Sequence, residues 1–294
     1  MILIWFILSL LCAFCLASSD ALVKRALAVG HNDLLVAWLR LLWTLPAIIG
    51  LYLVMPQPDV GAGFYRAALL ALPLELLALI LYVKALKLSP LSLTVPFLSL
   101  TPIFLLIVPT LLLGERLTPA GGLGVALIGV GGYTLHLRRM KQGFWAPLKS
   151  ILHEPGSVCM IGVALLYSFT STLGKQAIGA SSPLLFAAFY FPLLALLMTP
   201  LALWQLRGRL GVMPVHRTLA ATFMPGMLFA LMLVSHMFAV SMVNVAYMIS
   251  VKRLSLVIGV LYGHLMFGEE GLAERLLGTV MMVAGVALIL LGAP

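Results

Sequence analysis

Charged side chains are scarce in this sequence. Of its 294 residues only 9% are Asp, Glu, Lys or Arg, whereas 63% are hydrophobic, and the mean hydropathy is +1.15. A soluble globular domain carries roughly 25% charged residues, because water must wet its surface. The shortage of charge therefore excludes soluble folds, nucleic-acid-binding domains among them. It predicts an integral membrane protein whose solvent is lipid.

Motifs of enzymes and metal sites are also absent. The sequence has no H-E-x-x-H and no G-x-S-x-G, and no cluster of acids suited to a metal ion. Its three cysteines are Cys12, Cys15 and Cys159. Cys12 and Cys15 form a C-x-x-C spacing inside an apolar run, without a second pair of ligands. We therefore expect neither an enzyme nor a cofactor, and we expect the cysteines to pack within helices.

Long apolar runs fill the chain instead. About ten of them have the length of a transmembrane helix. The first has no basic segment before it, unlike a signal peptide, so we expect it to remain as a transmembrane helix. The predicted helices cover about residues 3–27, 33–54, 67–86, 91–113, 120–137, 158–178, 183–204, 218–241, 245–267 and 273–292.

The two halves of the chain repeat one pattern. LASSDALVKRAL at residues 16–27 aligns with YSFTSTLGKQAI at residues 167–178. We predict a first five-helix repeat over residues 1–140, a polar connecting loop over 141–157 and a second repeat over 158–294. Because five is odd, the second repeat crosses the membrane upside down, as in many secondary transporters. The pairs that lie 154 residues apart are Gly114 and Gly268, Glu115 and Glu269, Gly124 and Gly278, and Gly131 and Gly285.

These repeats also resemble a known family. The segment ALKLSPLSLTVPFLSLTPIFLLIVPTLLLGERLTPAGGLGVALIGVGGYTL is similar to EamA-type proteins of the drug/metabolite transporter superfamily, and VKRLSLVIGVLYGHLMFGEEGLAERLLGTVMMVAGVALILLG repeats the pattern. The likeness covers nearly the whole chain. It implies an all-α integral membrane fold of ten transmembrane helices, arranged as two inverted five-helix repeats around a central cavity. It also implies gradient-driven transport of small metabolites, often outward.

Location and partners follow from the same reasoning. We expect a multi-pass protein of the plasma membrane, the inner membrane of a bacterium, surrounded by membrane lipids as a monomer or homodimer and without a nucleic-acid partner. The net charge of +9 reflects Lys and Arg in the links between helices. Most lie on the side reached by the end of the first helix, which favours termini outside the cytoplasm. Members of the family commonly have cytoplasmic termini, and both orientations stay open.

A few cations lie deep inside the predicted spans. Lys252 and Arg253 are seven or eight residues into a helix, about 10–12 Å from its start. An ionised group at the bilayer centre costs at least roughly 2.5–3.5 kcal/mol, so each is a candidate for function. We expect the pair to bind substrate or a counter-ion, with a structural partner such as Glu75 as the alternative. For Arg40, in the middle of another helix, cavity contact and structural pairing are both open.

Acids and a histidine are candidates for coupling. Glu75, two residues after Pro73, is a candidate for substrate binding and for titratable coupling, or is the partner of a deep cation. Asp20 precedes Lys24 by four residues, which favours a pair within one helix, with coupling as the alternative. His236 serves either as a hydrogen-bonded structural group or as a proton relay.

Two further groups of residues complete the prediction. Tyr82, Tyr167 and Tyr247 are candidate cavity liners, although membrane tyrosines often belong to interfacial belts. Glu115 and Glu269 are expected to be structural, each near the start of the helix that follows it, with gating as the alternative. Gly124 and Gly278 are expected in close helix contacts. Four prolines predict that the helix over 91–113 is broken: Pro90, Pro96, Pro102 and Pro109.

The deep charges predict the substrate class. Arg40, Lys252 and Arg253 outnumber Asp20 and Glu75. A cavity with surplus positive charge favours an anionic or zwitterionic small molecule. A flippase for a lipid-linked or phosphate-bearing amphiphile is the alternative, since a basic groove also suits a phosphate headgroup.

Overall fold

Every regular element of the computed structural model, which describes residues 2–55, 59–88, 95–134, 155–206, 215–268 and 276–292, is a helix. This confirms the predicted all-helical class. The predicted connecting loop lies outside the described residues up to residue 154. We number the helices by the predicted spans that they occupy: α1 Ile2–Ala28, α2 Asp33–Val54, α3 Phe64–Leu88, α5 Pro119–Thr134, α6 Pro155–Gly179, α7 Pro183–Leu206, α8 Val215–Met242 and α10 Leu276–Gly292.

Two further helices are interrupted. α4 consists of a 3-10 segment, Val95–Leu100, and the short helices Thr101–Phe104 and Val108–Leu113. Its prolines explain the breaks, since Pro102 and Pro109 each begin a new helical piece. α9 consists of Val245–Lys252 and Ser255–Phe267. The predicted break of α4 is therefore confirmed, whereas the break of α9 at Arg253 was not predicted.

Seven helices in the described part of the chain are long and apolar enough to cross a membrane, judged by length and composition. Their outward side chains are strongly apolar: Leu3 and Val54, like Leu265 and Leu291 elsewhere, are more than half exposed. Exposed apolar side chains on helices of this length and composition indicate a lipid environment. The chain is thus a multi-pass membrane protein.

α5 and α10 approach each other through bare backbone. A Cβ atom added to Gly124 would lie 2.5 Å from the carbonyl oxygen of Gly285, and one added to Gly131 would lie 2.8 Å from that of Gly278. Small residues permit such close contact between membrane helices. Because the partner numbers fall as the Gly numbers rise, the two helices are antiparallel.

Long contacts also join the two halves of the chain elsewhere. α1 packs along α8, α3 packs along α6, and α2 packs against both α7 and α8. The main buried cluster lies among these helices and includes Phe64, Tyr190, Met232 and Tyr247. Asp20, Arg40 and Glu75 therefore lie on helices that pack across the two halves, and α9, which carries Lys252 and Arg253, packs against α1.

α4 and α9 end in the same way. Gly114 and Gly268 have φ of +67° and +64°, and each amide N–H donates to the carbonyls four and five residues earlier. Glycine is favoured there because other residues are strained in the left-handed region. The two glycines lie 154 residues apart, which is the spacing of the repeat.

Candidate functional site

The breaks of α4 and α9 meet at Arg253. The Nη2 atom of Arg253 donates to Oγ1 of Thr101 at 2.8 Å. Arg253 is 9% exposed, and its Nε has no hydrogen-bond partner among the described residues. Thr101 is fully buried and donates in turn to the carbonyl of Leu98 at 2.7 Å. A guanidinium is therefore held at the contact of two interrupted helices with one donor unused.

Lys252 points to a different helix. Its Nζ lies 3.4 Å from Nδ1 of the buried His236 on α8. Nδ1 of a neutral His236 accepts this hydrogen bond, since an ammonium can only donate. Neither Lys252 nor Arg253 forms an ion pair with a carboxylate of the described residues. The basic pair is therefore divided between α8 and α4.

Glu75 lies on α3, within reach of this basic pair. Its carboxyl lies close enough to Lys252 for the two charges to interact, while the hydroxyl of Thr170 on α6 lies 3.5 Å from the carbonyl oxygen of Tyr167. Among the described residues, no three or more His, Cys, Asp or Glu side chains form a group that could hold a metal ion. Among the described residues Glu75 therefore does not form the ion pair with Lys252 or Arg253 that was one alternative.

Arg40 pairs with Asp20. Its Nη1 lies 2.8 Å from Oδ1 of Asp20, and the guanidinium carbon lies 4.0 Å from the ring centroid of Phe229. The predicted pairing of Asp20 with Lys24 is corrected, because the ion pair crosses from α1 to α2. The ammonium of Lys24 lies 4.3 Å from the ring centroid of Phe267. Glu75 is likewise not the partner of Arg40.

Tyrosines surround the charged groups. Tyr82 and Tyr167 are both partly buried and lie close enough to Arg253 for its charge to act on their hydroxyls, and Tyr82 also lies near Arg40. Tyr190 on α7 is 4% exposed, and its hydroxyl has no partner among the described residues. Sequence reasoning missed Tyr190, which lies in an otherwise apolar run. The ring of Tyr190 stacks on that of Phe186, with the ring centroids 4.9 Å apart, so its hydroxyl is buried at the edge of an aromatic pair.

Tyr247 lies elsewhere, and its predicted place on a cavity wall is corrected. It is fully buried, and its hydroxyl accepts from the backbone N–H of Thr118 at 3.1 Å and lies 3.2 Å from Oγ1 of Thr118. The ring packs directly on Gly121, where a Cβ would collide with the hydroxyl. Its position is therefore a packing contact between α9 and α5.

Glu115 ties three parts of the chain together, in an arrangement that we call the Glu115 clamp. One carboxylate oxygen pairs with Lys175 on α6, and the other accepts the N–H of Val245 at 3.0 Å. Lys175 also donates to the carbonyl of Val243 at 2.6 Å, and Asn244 donates to that of Arg116 at 3.1 Å. Glu115 was expected near the start of α5, but it caps the first turn of α9.

Glu269, the counterpart of Glu115 in the second half, lies outside the described residues. Of the clamp residues, Lys175 and Glu115 are both largely buried, with side chains 21% and 11% exposed. Lys175 therefore belongs to this clamp and adds no unpaired charge to the interior.

Comparisons with known proteins agree with this architecture. A model of the EamA-like transporter family matches residues 3–136 and again residues 154–291. A search of curated proteins returned no match. Among 29 matching chains of solved structures, one titled "Crystal structure of protein" has a TM-score of 0.73 and 17% identity, and the match covers 97% of this chain and 94% of that one. That likeness shows the fold alone. Since the two family matches together span most of its length, the chain belongs to the EamA-like transporter family.

Proposed function

We propose that this protein is a secondary transporter, in the export direction, of a small anionic or zwitterionic metabolite, acting by alternating access in the plasma membrane. EamA-like proteins are membrane transporters of the drug/metabolite transporter superfamily and are not enzymes. Family membership leaves the substrate open. The substrate class is inferred from the charged interior.

The unused donor of Arg253 carries the proposal. A buried charge normally persists only with a partner of opposite charge. Arg40 has Asp20, whereas the hydrogen-bond partners of Arg253 and Lys252 within the described residues are a hydroxyl, that of Thr101, and an imidazole, that of His236. A buried donor without an acceptor costs about 1–3 kcal/mol. A substrate oxygen on Arg253 would recover this energy and offset the surplus positive charge.

The helix contacts support an inverted arrangement of ten spans. In the 154-residue register, Gly124 corresponds to Gly278 and Gly131 to Gly285. The contact of Gly124 with Gly285 therefore has its counterpart in the contact of Gly131 with Gly278. Such reciprocal contacts are characteristic of a two-fold axis, which for antiparallel helices lies in the membrane plane.

The pairing of α1 with α8 and of α3 with α6 is reciprocal in the same sense. If each half is one copy of a five-helix unit, α6 corresponds to α1 and α8 to α3, so that exchanging the copies converts one pair into the other. This symmetry gives a transporter two equivalent ways to open, one on each side. The Glu115 clamp joins both halves of the chain, and it is suited to keep the transporter closed on one side of the membrane.

Transport by the purified protein in proteoliposomes tests the proposal. We would screen organic acids, amino acids, organic cations, neutral solutes and a phosphate-bearing lipid, with empty liposomes as the background. We expect acids or zwitterions to be transported. Preference for cations or neutral solutes would contradict the proposal, and movement of the lipid alone would favour a flippase.

Charge removal at Arg253 tests the site. Arg253→Gln should weaken apparent affinity for the transported solute by about 10-fold or more, because a charge-assisted hydrogen bond contributes about 1.5–3 kcal/mol. Arg66→Gln is the matched control, since Arg66 is exposed at the start of α3. Equal transport by both variants would show that Arg253 does not bind the solute.

A further inference from the structure

One edge of the Arg40 guanidinium is buried without a hydrogen-bond partner among the described residues. Nη1 is engaged by Asp20, while Nε and Nη2 are buried and have no hydrogen-bond partner among the described residues. The N–H bonds of Nε and Nη2 run side by side on the same edge of the planar group. Their spacing matches the two oxygens of a carboxylate, which an arginine binds through two parallel hydrogen bonds.

We propose that this Nε/Nη2 edge binds the carboxylate of the substrate in a bidentate manner. The inference rests on the proposed function, to which it adds the chemical class of the anionic group and the residue that recognises it. Arg253 and Lys252 then supply attraction to the same solute, while Arg40 supplies the geometric fit.

Arg40 is fixed in place before a ligand arrives. Asp20 holds one end of the guanidinium at 2.8 Å, and Phe229 covers one face at 4.0 Å. α8 comes close to α2 at this point because Gly226 has no side chain, and a Cβ there would lie 3.2 Å from the carbonyl oxygen of Arg40. A donor edge held by three helices loses little conformational entropy on binding.

Arg253 cannot offer the same edge. Its Nη2 donates to Thr101, so only Nε is unused. The ammonium of Lys252 is a point charge without a planar pair of donors. Among the deep cations of the described residues, Arg40 alone therefore offers two adjacent unused donors.

The position of Tyr82 connects Arg40 with the cations of α9. Tyr82 lies close enough to Asp20, Arg40 and Arg253 for their charges to act on its hydroxyl. Arg40 and Arg253 are therefore both near Tyr82, in the region between α2, α3 and α9. A solute held by Arg40 in this region lies within the field of Arg253.

The charge count favours a carboxylate over a doubly charged phosphate. In the described spans, the cations Arg40, Lys252 and Arg253 exceed the acids by one, the acids being Glu75 and Asp20, whose side chain is 54% exposed. Because Asp20 already balances the charge of Arg40, the Nε/Nη2 edge contributes mainly two hydrogen bonds and little net positive charge. A single negative charge on the solute completes the balance.

Arg40→Lys tests this inference, because lysine keeps the charge and removes the planar edge. We would measure binding of the tightest carboxylate from the transport screen and of its primary amide by ligand-dependent thermal stabilisation and by counterflow. The wild type should prefer the carboxylate, and Arg40→Lys should reduce that preference by about 10-fold or more, the loss of about 1.4 kcal/mol. Unchanged preference in Arg40→Lys would overturn the inference.

A charge swap separates recognition from a purely structural ion pair. Asp20→Arg combined with Arg40→Asp preserves a pair between α1 and α2, so that it keeps the fold even where single changes at Arg40 do not. The double variant should unfold near the wild-type temperature yet lack carboxylate preference. Restored preference would mean that Arg40 serves only to pair with Asp20, and would overturn the inference.

The two proposals fail in different ways. If the wild type binds neither acids nor zwitterions, the proposed function is wrong. If it transports phosphate esters and no carboxylate, or if the preference survives Arg40→Lys, the proposed function stands and only the role of the Arg40 edge is wrong.

Discussion

Long-range partners decide what each charged residue does. Reasoning from sequence finds Arg40, Lys252 and Arg253 because ionised groups are rare in apolar spans. It cannot find their partners. Asp20 was matched with Lys24 because four residues make one helical turn. In the structure, Asp20 pairs instead with Arg40 of another helix. Glu115 likewise accepts the N–H of Val245 at the start of α9, although the helix next to it in the sequence is α5.

Tyr247 gives a prediction at this scale. Tyr247→Phe removes the hydroxyl that accepts the N–H of Thr118 and leaves a partly buried donor unsatisfied. The free energy of unfolding should fall by about 1–3 kcal/mol while solute affinity stays unchanged. Thermal unfolding in detergent and transport in proteoliposomes measure the two effects.

Tyr65→Phe is the control for this change, because Tyr65 is an exposed tyrosine and should tolerate the loss of its hydroxyl. The opposite pattern for Tyr247→Phe, with weaker solute affinity and unchanged stability, would return Tyr247 to the cavity wall.

At the scale of the element, prolines and glycines carry most of the predictable information. The prolines of α4 predict its break, since each removes a backbone donor. The break of α9, at Lys252, Arg253 and Leu254, contains no proline and no glycine. The repeat itself held the signal, because the 154-residue spacing carries Ser99, in the 3-10 segment of α4, onto Arg253.

Two glycines of α5 give a matched test of close packing. Gly124→Ala places a methyl group 2.5 Å from the backbone of α10, and overpacking of this kind costs about 1–3 kcal/mol. Gly122→Ala on the same helix meets nothing within 4 Å, and alanine is the better helix former by about 1 kcal/mol. We expect a lower unfolding temperature for the first variant and an equal or higher one for the second. Equal destabilisation by both would argue against the close contact of α5 with α10.

At the scale of the whole molecule, the spacing of the repeat predicts which residues of the two halves correspond, and the resemblance predicts the family. Neither predicts the Glu115 clamp, because its groups come from the ends of α4, α6 and α8 and are far apart in the sequence. The backbone groups that it uses, at Val243 and Val245, have no side-chain signature at all.

Breaking the clamp should change which side of the molecule is open. Lys175→Met removes an ion pair and the bond to Val243, contacts that together are sufficient to shift a two-state equilibrium by about 10-fold. Cys12, fully buried on α1 and within reach of the charges of Lys252 and Arg253, reports on this opening. In a background with Cys15 and Cys159 replaced by alanine, its reaction with a water-soluble maleimide should become faster.

Lys84→Met, the same change at an exposed residue of α3, should leave the labelling rate unchanged. If Lys175→Met and Lys84→Met label alike, the clamp stabilises the fold without controlling access.

The glycine contacts between α5 and α10 have a consequence for how such a molecule could arise. Each helix has two glycines at the contact. Gly124 meets Gly285 and Gly131 meets Gly278, whereas the repeat register relates Gly124 to Gly278 and Gly131 to Gly285. A helix surface of this kind can pack against an antiparallel copy of itself, so a complementary surface does not have to evolve separately. A five-helix chain inserted into the membrane in both orientations would already have, on its last helix, the glycine surface that here forms the contact between α5 and α10.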